Sequence, residues 1–350
     1  MSDKNLSMLN LRDKTTLTKK QIVDKQAKVL EALKAINKSF GAGKVKFAKD
    51  EPKKESLPWP TEELNGFCKS LVKGNFSVLW GGNSVGKSTL AYQTIAVNQK
   101  DGKVCCLVDA EHNFNTDRAV QLGINLDELI LIEEIDTAEQ GMDIIIQLCK
   151  DKVVDLFIVD SVQAMSPEGE QQTKKEKIKS IADDEMAQIA RKLSKFFRVC
   201  ATPLYKANAH CMLIGQVRKN LGGFIVLDSL SGGEAQNHWA TAIIQMRKGK
   251  KDDAPTRKER IEVEKDGEVH KETVTVMLGH SVVFKINKTK VTDSKPESSE
   301  LIVPFYHTTG FLPPTEQVET PNVPMGSDDP IADDVALAEE EPKKKSKSKN

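Results

Sequence analysis

The chain carries no net charge, because its 51 Lys and Arg balance 51 Asp and Glu. Overall charge therefore argues neither for nor against a polyanionic partner. There is no apolar run long enough to cross a bilayer and no leader with a long apolar core, which points away from membranes and towards the cytoplasm. The six cysteines include an adjacent pair, Cys105 and Cys106, but none has C-x-x-C spacing. Without that spacing neither a zinc knuckle nor a disulfide framework is expected, and a reducing compartment fits.

What the chain does have is unevenly distributed. Residues 1–55 hold fourteen Lys and Arg against seven Asp and Glu, so the N-terminal arm is basic. Thr18 and Gln21 have capping-box spacing, and Ile22, Val29, Leu33, Ile36 and Phe40 recur at helical intervals until Gly41. A short strand is expected near Lys44 to Ala48, and then a Pro- and Lys-rich linker, "AKDEPKKESLPWP". The helix cannot bury its apolar face alone, so it must pack on the main domain or on another subunit. From Asn75 to about Phe311, apolar strands alternate with helical segments. Strands are expected at Phe76–Trp80, Val104–Val108, Leu129–Ile132, Leu156–Val159, Cys211–Ile214, Ile243–Met246 and Val282–Ile286. This alternation predicts an α/β fold with a mainly parallel sheet covered by helices on both faces. Two segments interrupt it, a charged one from Met165 to Asp184 and a glycine-rich one from Arg218 to Gly233. "IEVEKDGEVHKETVTVML" alternates around Asp266-Gly267, a hairpin signal. After Gly310 the composition turns to Pro, acid and lysine. We read residues 312–350 as a disordered tail, acidic from Asp328 to Glu341 with a lysine tip.

The most specific local signal is "LWGGNSVGKSTLAYQ", from Leu79 to Gln93. Gly81, Gly82, Asn83, Ser84, Val85, Gly86, Lys87, Ser88 and Thr89 fit the P-loop spacing, with a buried strand before and a helix after. The glycines let successive N–H groups turn inward on an anion. Lys87 would reach the outer phosphates, Ser88 would ligate Mg²⁺, and the helix N-terminus adds partial positive charge. Asp160 ends the run "VDLFIVD" at the sheet edge where ligands bind, and a carboxylate there can hold Mg²⁺. Glu111 follows the strand "CCLVDAEH" at the same edge, where it can act as general base on a water. A third strand, "CMLIG", ends at Gln216, whose amide could sense a γ-phosphate and pass that state to Arg218, Lys219 and the glycine-rich segment.

With these parts in order, the chain resembles the RecA-family recombinases. The resemblance runs from the N-terminal helix to about Phe311 and rests on "LWGGNSVGKSTL", "LVDAEH", "FIVDSVQAMSP", "LIGQVR" and the pair Gly232-Gly233. "LSKFFRVCATPLY" is similar to the tailed-phage branch. The resemblance implies ATP and Mg²⁺ as cofactors, Glu111 as catalytic base and Gln216 as the coupling residue. It implies two DNA-binding loops, about 165–185 and 218–233. It also implies DNA contacts from Met186, Arg191, Ser194 and Arg198. Helical spacing independently puts Arg191, Ser194 and Arg198 on one face. Lys288 and Lys290 match paired lysines that, in the family, reach the ATP of a neighbouring subunit. The partners implied are single- and double-stranded DNA, further copies in a helical filament, and a single-strand-binding protein or loader.

The organisation expected is therefore a polymerisation arm and linker over 1–55, a RecA-like ATPase core over 56–311, and the tail. Asn83 and Glu234 depart from the bacterial pattern, and Glu234 sets a negative charge beside the expected DNA. The first loop is longer and carries "TKKEKIKS". Asn115 and Arg118 occupy the expected adenine positions, and the bacterial C-terminal lobe is replaced by the tail. Two other readings stay open: a ring-forming RecA-fold helicase or motor ATPase, and a regulatory paralogue that does not exchange strands. The set Lys87, Glu111, Asp160 and Gln216 speaks against the paralogue; the arm and the two loops speak against the ring.

Overall fold

Successive strand residues point to opposite faces, and in this chain both faces are apolar, so the sheet must be covered twice. The computed structural model describes residues 19–51, 53–161, 181–220, 227–230, 234–265, 268–292 and 294–313. The central strands are β1 (Phe76–Gly81), β2 (Cys105–Asp109), β3 (Leu129–Ile132), β4 (Leu156–Asp160) and β5 (His210–Asn220). Leu79, Cys105, Leu107, Leu156, Ile158, Met212 and Ile214 enter one core. Phe76, Val78, Trp80, Cys106, Val108, Phe157, Val159, Cys211 and Leu213 enter the other. The first core is closed by three helices, α2 (Glu62–Phe67), α3 (Lys87–Lys100) and α4 (Thr116–Gln121). The second is closed by α5 (Ala138–Asp151) and α6 (Ile181–Ala207), through Met142, Ile145, Leu193, Phe196, Phe197 and Leu204.

β6 (Leu227–Leu230), the short helix α7 (Ala235–Trp239) and β7 (Ala240–Lys248) follow, and the sheet ends with β10 (Gly279–Thr289) and β11 (Glu300–Tyr306). The strand order is β11-β10-β7-β1-β5-β4-β2-β3, with β6 paired to β5. From β7 to β3 neighbours are parallel, whereas β10 and β11 are antiparallel additions. Between β7 and β10 stand β8 (Thr256–Lys265) and β9 (Glu268–Met277), which pair as a separate ribbon from Thr256↔Met277 to Lys265↔Glu268. That is the hairpin expected around Asp266-Gly267, although those two residues lie outside the described ones.

The N-terminal helix α1 (Lys19–Phe40) stops at Gly41, whose φ of +104° suits glycine. Its Val29, Leu30, Ile36 and Phe40 are exposed, Phe40 by 73%. The strand expected at Lys44 to Ala48 is not formed. Residues 46 and 47 leave a turn and lead into a one-turn 3₁₀ helix at Ala48–Asp50. A strand needs a ladder partner, and among the described residues this segment has none. The linker is also shorter than its composition suggests. Lys73 N donates to Glu55 O and Leu57 N to Leu71 O, and Leu57 and Trp59 are buried.

The glycine-rich segment begins as strand: Arg218, Lys219 and Asn220 continue β5 and pair with Ser229, Asp228 and Leu227. The partner for that extension is β6, from Leu227 to Leu230. Sequence reasoning missed β11 because Pro304 interrupts it, and β11 is an edge strand, where proline is tolerated. Residues 181–185, assigned to the first loop, open α6. The rest of that loop, Thr18, Gly232, Gly233 and the tail beyond Pro313 lie outside the described residues.

Candidate functional site

At the carboxyl end of β1 the chain turns on glycines because nothing larger fits. A Cβ on Gly81 would lie 2.2 Å from the Met246 carbonyl oxygen. Gly86 has a φ of +100°, and a Cβ there would meet the Phe305 ring at 2.7 Å. Gly82, Asn83 and Ser84 form the outward part of the turn, with Asn83 and Ser84 exposed, while Val85 is anchored in the core. Lys87 Nζ donates to the carbonyls of Gly81 (3.0 Å) and Gly82 (2.7 Å), so the amine lies across the mouth of the turn. Burial lowers its pKa, opposed by the charges of Asp160 and Glu111.

Ser88 Oγ donates to Asp160 Oδ2 at 2.6 Å. Burial pushes the Asp160 carboxyl up to about 6, the Ser88 hydrogen bond opposes this, and Glu111 adds to the rise. A desolvated carboxylate beside a hydroxyl is a hard-oxygen pair that a divalent cation would relieve. Mg²⁺ typically takes only one or two protein ligands and completes its shell from phosphate and water. The residues therefore fit a Mg²⁺–phosphate group. Thr89 is the next residue of α3 and packs against the 309–311 turn, where a Cβ on Gly310 would touch its Cγ2.

Glu111, Ser161 and Gln216 meet beside this pair. Glu111 Oε1 accepts from Ser161 Oγ at 2.5 Å and from Gln216 Nε2 at 2.7 Å. Below them the buried Asp109 accepts from the backbone N–H groups of Glu111 and Phe114, at 3.3 and 2.6 Å, and so fixes the turn that presents Glu111. Sequence reasoning passed over both Asp109 and Ser161. Each stands inside a motif it used, "LVDAEH" and "FIVDS", but their roles depend on cross-strand register. Asn115 caps α4 by accepting from Arg118 N, and Arg118 donates to the carbonyls of Thr308 (2.6 Å) and His307 (3.2 Å).

The remaining candidates lie elsewhere. Lys288 Nζ donates to the Asn237 carbonyl, and Lys290 Nζ to that of His238 at 3.1 Å. Both carbonyls belong to α7, just before Ala240, which pairs with Phe76 at the start of β1. The two amines therefore sit at the amino edge of the sheet. Gly81 lies five residues farther along β1, roughly 17 Å at strand rise. A cleft of about 670 Å³ opens there, lined by Lys54, Asn65, Lys69, Asn75, Trp239 and Lys290 among others. On α6, Arg191 and Arg198 are exposed and Ser194 is half-buried, opposite the buried Leu193, Phe196, Phe197 and Cys200. Met186 is on the same helix, and Arg218 and Lys219 are on the β5 extension; only their backbone is described.

A parallel sheet whose first strand turns through glycines into a helix, with acids at the ends of two neighbouring strands, is the architecture of the P-loop α/β class. Within that class the RecA N-terminal domain family matches residues 27–283, and the chain belongs to this family. It is 33% identical over 235 residues to Protein RecA of Paracoccus denitrificans, across 65% of this chain and 64% of that protein. With Protein RecA of Colwellia psychrerythraea it shares 32% identity over 231 residues, 64% of this chain and 65% of that protein. The match to Protein RecA of Rickettsia prowazekii is 32% over 232 residues, 65% and 66% of the two chains. The chain thus spans slightly less than two thirds of the length of these relatives.

Proposed function

We propose that the chain is an ATP-dependent DNA recombinase that forms helical filaments on single-stranded DNA and catalyses homologous pairing and strand exchange with a duplex. The observation that carries this reading is the placement of the two basic sets. The phosphate-type turn with Lys87 lies at one edge of the sheet, while the amines of Lys288 and Lys290 lie at the other. Within one chain they cannot converge on one nucleotide. In a head-to-tail stack, the amino edge of one copy faces the carboxyl edge of the next, and repetition of that contact gives an open helix.

In this reading Gly81 to Thr89 would cradle the phosphates of ATP, Lys87 would pair with the outer ones, and Ser88 and Asp160 would hold Mg²⁺. Bound Mg²⁺ would neutralise charge on the phosphates as the terminal group departs. Glu111 takes the proton of the attacking water, and Gln216 links the site to the β5–β6 segment. Met186, Arg191, Ser194, Arg198, Arg218, Lys219, Gly232 and Gly233 serve the DNA, mainly through its backbone, so sequence is read by base pairing itself. The bare face of α1 supports an arm, residues 1–55, that docks on a neighbouring core over 56–311; the tail from 312 then regulates access of DNA. A single-strand-binding protein or loader, and a cytoplasmic setting, belong to the same proposal. Among the described residues no helix is long and apolar enough to cross a membrane.

Electron microscopy with an ATP analogue and single-stranded DNA tests the reading: helical filaments are expected. Closed rings would support a motor ATPase, and nucleotide binding without polymer a regulatory paralogue. Deleting residues 1–41 should leave a folded monomer, and filaments from that variant would rule out the polymerisation arm.

A further inference from the structure

Ser161 is the first residue past β4, and β4 lies between β2 and β5 in the sheet. Asp160 is level with Asp109 across one ladder, and Ala110 N donates to Asp160 O at 2.8 Å. Across the other ladder, Val159 is level with Leu213, three residues before Gln216. Ser161 therefore stands in the gap between the segment that carries Glu111 and the strand that carries Gln216. The residue is 1% exposed. Its hydroxyl donates to Glu111 Oε1 at 2.5 Å, while Gln216 Nε2 approaches the same hydroxyl at 3.4 Å and Glu111 Oε1 at 2.7 Å.

We propose that Ser161 is a positioning residue for hydrolysis, which fixes the orientation of the Glu111 carboxylate and ties it to Gln216. The inference rests on the reading of Glu111 as general base. A hydroxyl donating to a carboxylate makes a short, charge-assisted bond, stronger than one between neutral groups. Two donors on Oε1 stop the carboxylate from rotating. Oε2, which meets Asn113 Nδ2 at 3.4 Å, is the oxygen that remains to take a water proton. Gln216 spends an amide hydrogen on this triangle. When that amide turns to another acceptor, Ser161 still holds Oε1, so the base keeps its aim while its neighbour moves. Ser161 lies outside the phosphate turn, so its removal should disturb the chemical step and leave nucleotide binding alone.

The test is steady-state and single-turnover ATP hydrolysis by the full chain on single-stranded DNA. Ser161→Ala should lower kcat by about 10–100-fold, the scale on which loss of a partner that orients a reacting group is felt. The KM for ATP and the melting temperature should stay as in the parent. Ser161→Thr, which keeps the hydroxyl, should recover most of the rate. In a Glu111→Gln background, Ser161→Ala should cause no further loss, because the hydroxyl acts through the carboxylate. An unchanged kcat in Ser161→Ala would overturn the proposal, as would a parallel change in KM and melting temperature or an added loss in the Glu111→Gln background. If Glu111→Gln itself hydrolysed ATP normally, the general-base reading would fall first, a result distinct from failure of the serine alone.

Discussion

The two edges of the sheet are built on different terms. At the carboxyl edge the polar side chains satisfy one another within the chain: Lys87 with two carbonyls, Ser88 with Asp160, Glu111 with Ser161 and Gln216. The amino edge presents cations on main-chain carbonyls, a cleft of about 670 Å³ and a half-exposed Trp239. At both edges lysine amines rest on main-chain carbonyls, but the carboxyl edge adds carboxylate, hydroxyl and amide side chains bonded to one another. In the head-to-tail assembly proposed above, the surface facing the carboxyl edge would come from the next copy.

The largest expected effect comes from breaking the carboxyl edge. Lys87→Ala should lower ATP hydrolysis by about 10²–10³, because a preorganised cation is lost where phosphate charge develops. Lys288→Ala with Lys290→Ala should also lower turnover, through the other edge. Mixing the two variants separates sharing from self-sufficiency. If each site takes Lys87 from one copy and the lysine pair from the next, random mixing restores about a quarter of the sites. Hydrolysis by the mixture no higher than that of either variant alone would place both sets in one chain and end the head-to-tail reading.

The edges should also differ in how pH acts on stability, by a smaller amount. His210 opens β5 at the amino edge, fully buried between Ser77 Oγ and the Val72 carbonyl, each at 2.8 Å. Burial lowers its pKa to about 4, opposed by the Val72 carbonyl. The unfolded chain takes up that proton at about 6.5. Stability from this group is therefore present above pH 6.5 and falls as the pH drops towards 4, by about 3 kcal/mol in all. Asp160 acts in the opposite sense. Its folded pKa of about 6 lies above the unfolded value near 3.8. It favours the fold below pH 3.8 and loses that contribution as pH rises through 6. Asp160→Asn should thus raise stability at pH 8 by about 2–3 kcal/mol in the absence of nucleotide, and abolish Mg²⁺-dependent hydrolysis. Urea denaturation at pH 5 and pH 8 measures both. An Asp160→Asn variant no more stable than its parent at pH 8 would mean that water or backbone already relieves the carboxylate.

The carboxyl edge was legible in the sequence because its signals are local. Gly81, Gly86, Lys87 and Ser88 sit within eight residues, and the strands before Glu111 and Asp160 announce themselves by apolar runs. What escaped was whatever depends on another element. Ser161 and Asp109 matter through neighbouring strands, not through spacing along the chain. The β5 extension has meaning only with β6 beside it, and β11 hides behind Pro304 because an edge position excuses the missing N–H. The residues 44–48 read as a strand on composition, but a strand is a relation between two segments and the second is absent among the described residues.

The smallest effect sharpens the comparison by asking where DNA touches. Arg191 and Arg198 lie two turns apart on α6, both exposed, with Ser194 between them. The opposite side of α6 packs Phe196, Phe197 and Cys200 into the second core, so the arginine face is held in place by burial and does not depend on the loops. Each guanidinium that pairs with a phosphate releases about one counterion on binding. Arg191→Ala and Arg198→Ala should each flatten the dependence of log affinity on log salt by about one. The loss should be similar for different DNA sequences, because backbone contacts carry no base information. ATP hydrolysis without DNA should stay near the parent value, since both arginines lie on the exposed face of α6. Fluorescence anisotropy with labelled single strands across a salt series gives the slope directly. A slope that both variants leave unchanged would put this face in solvent and move the DNA to another surface of the chain.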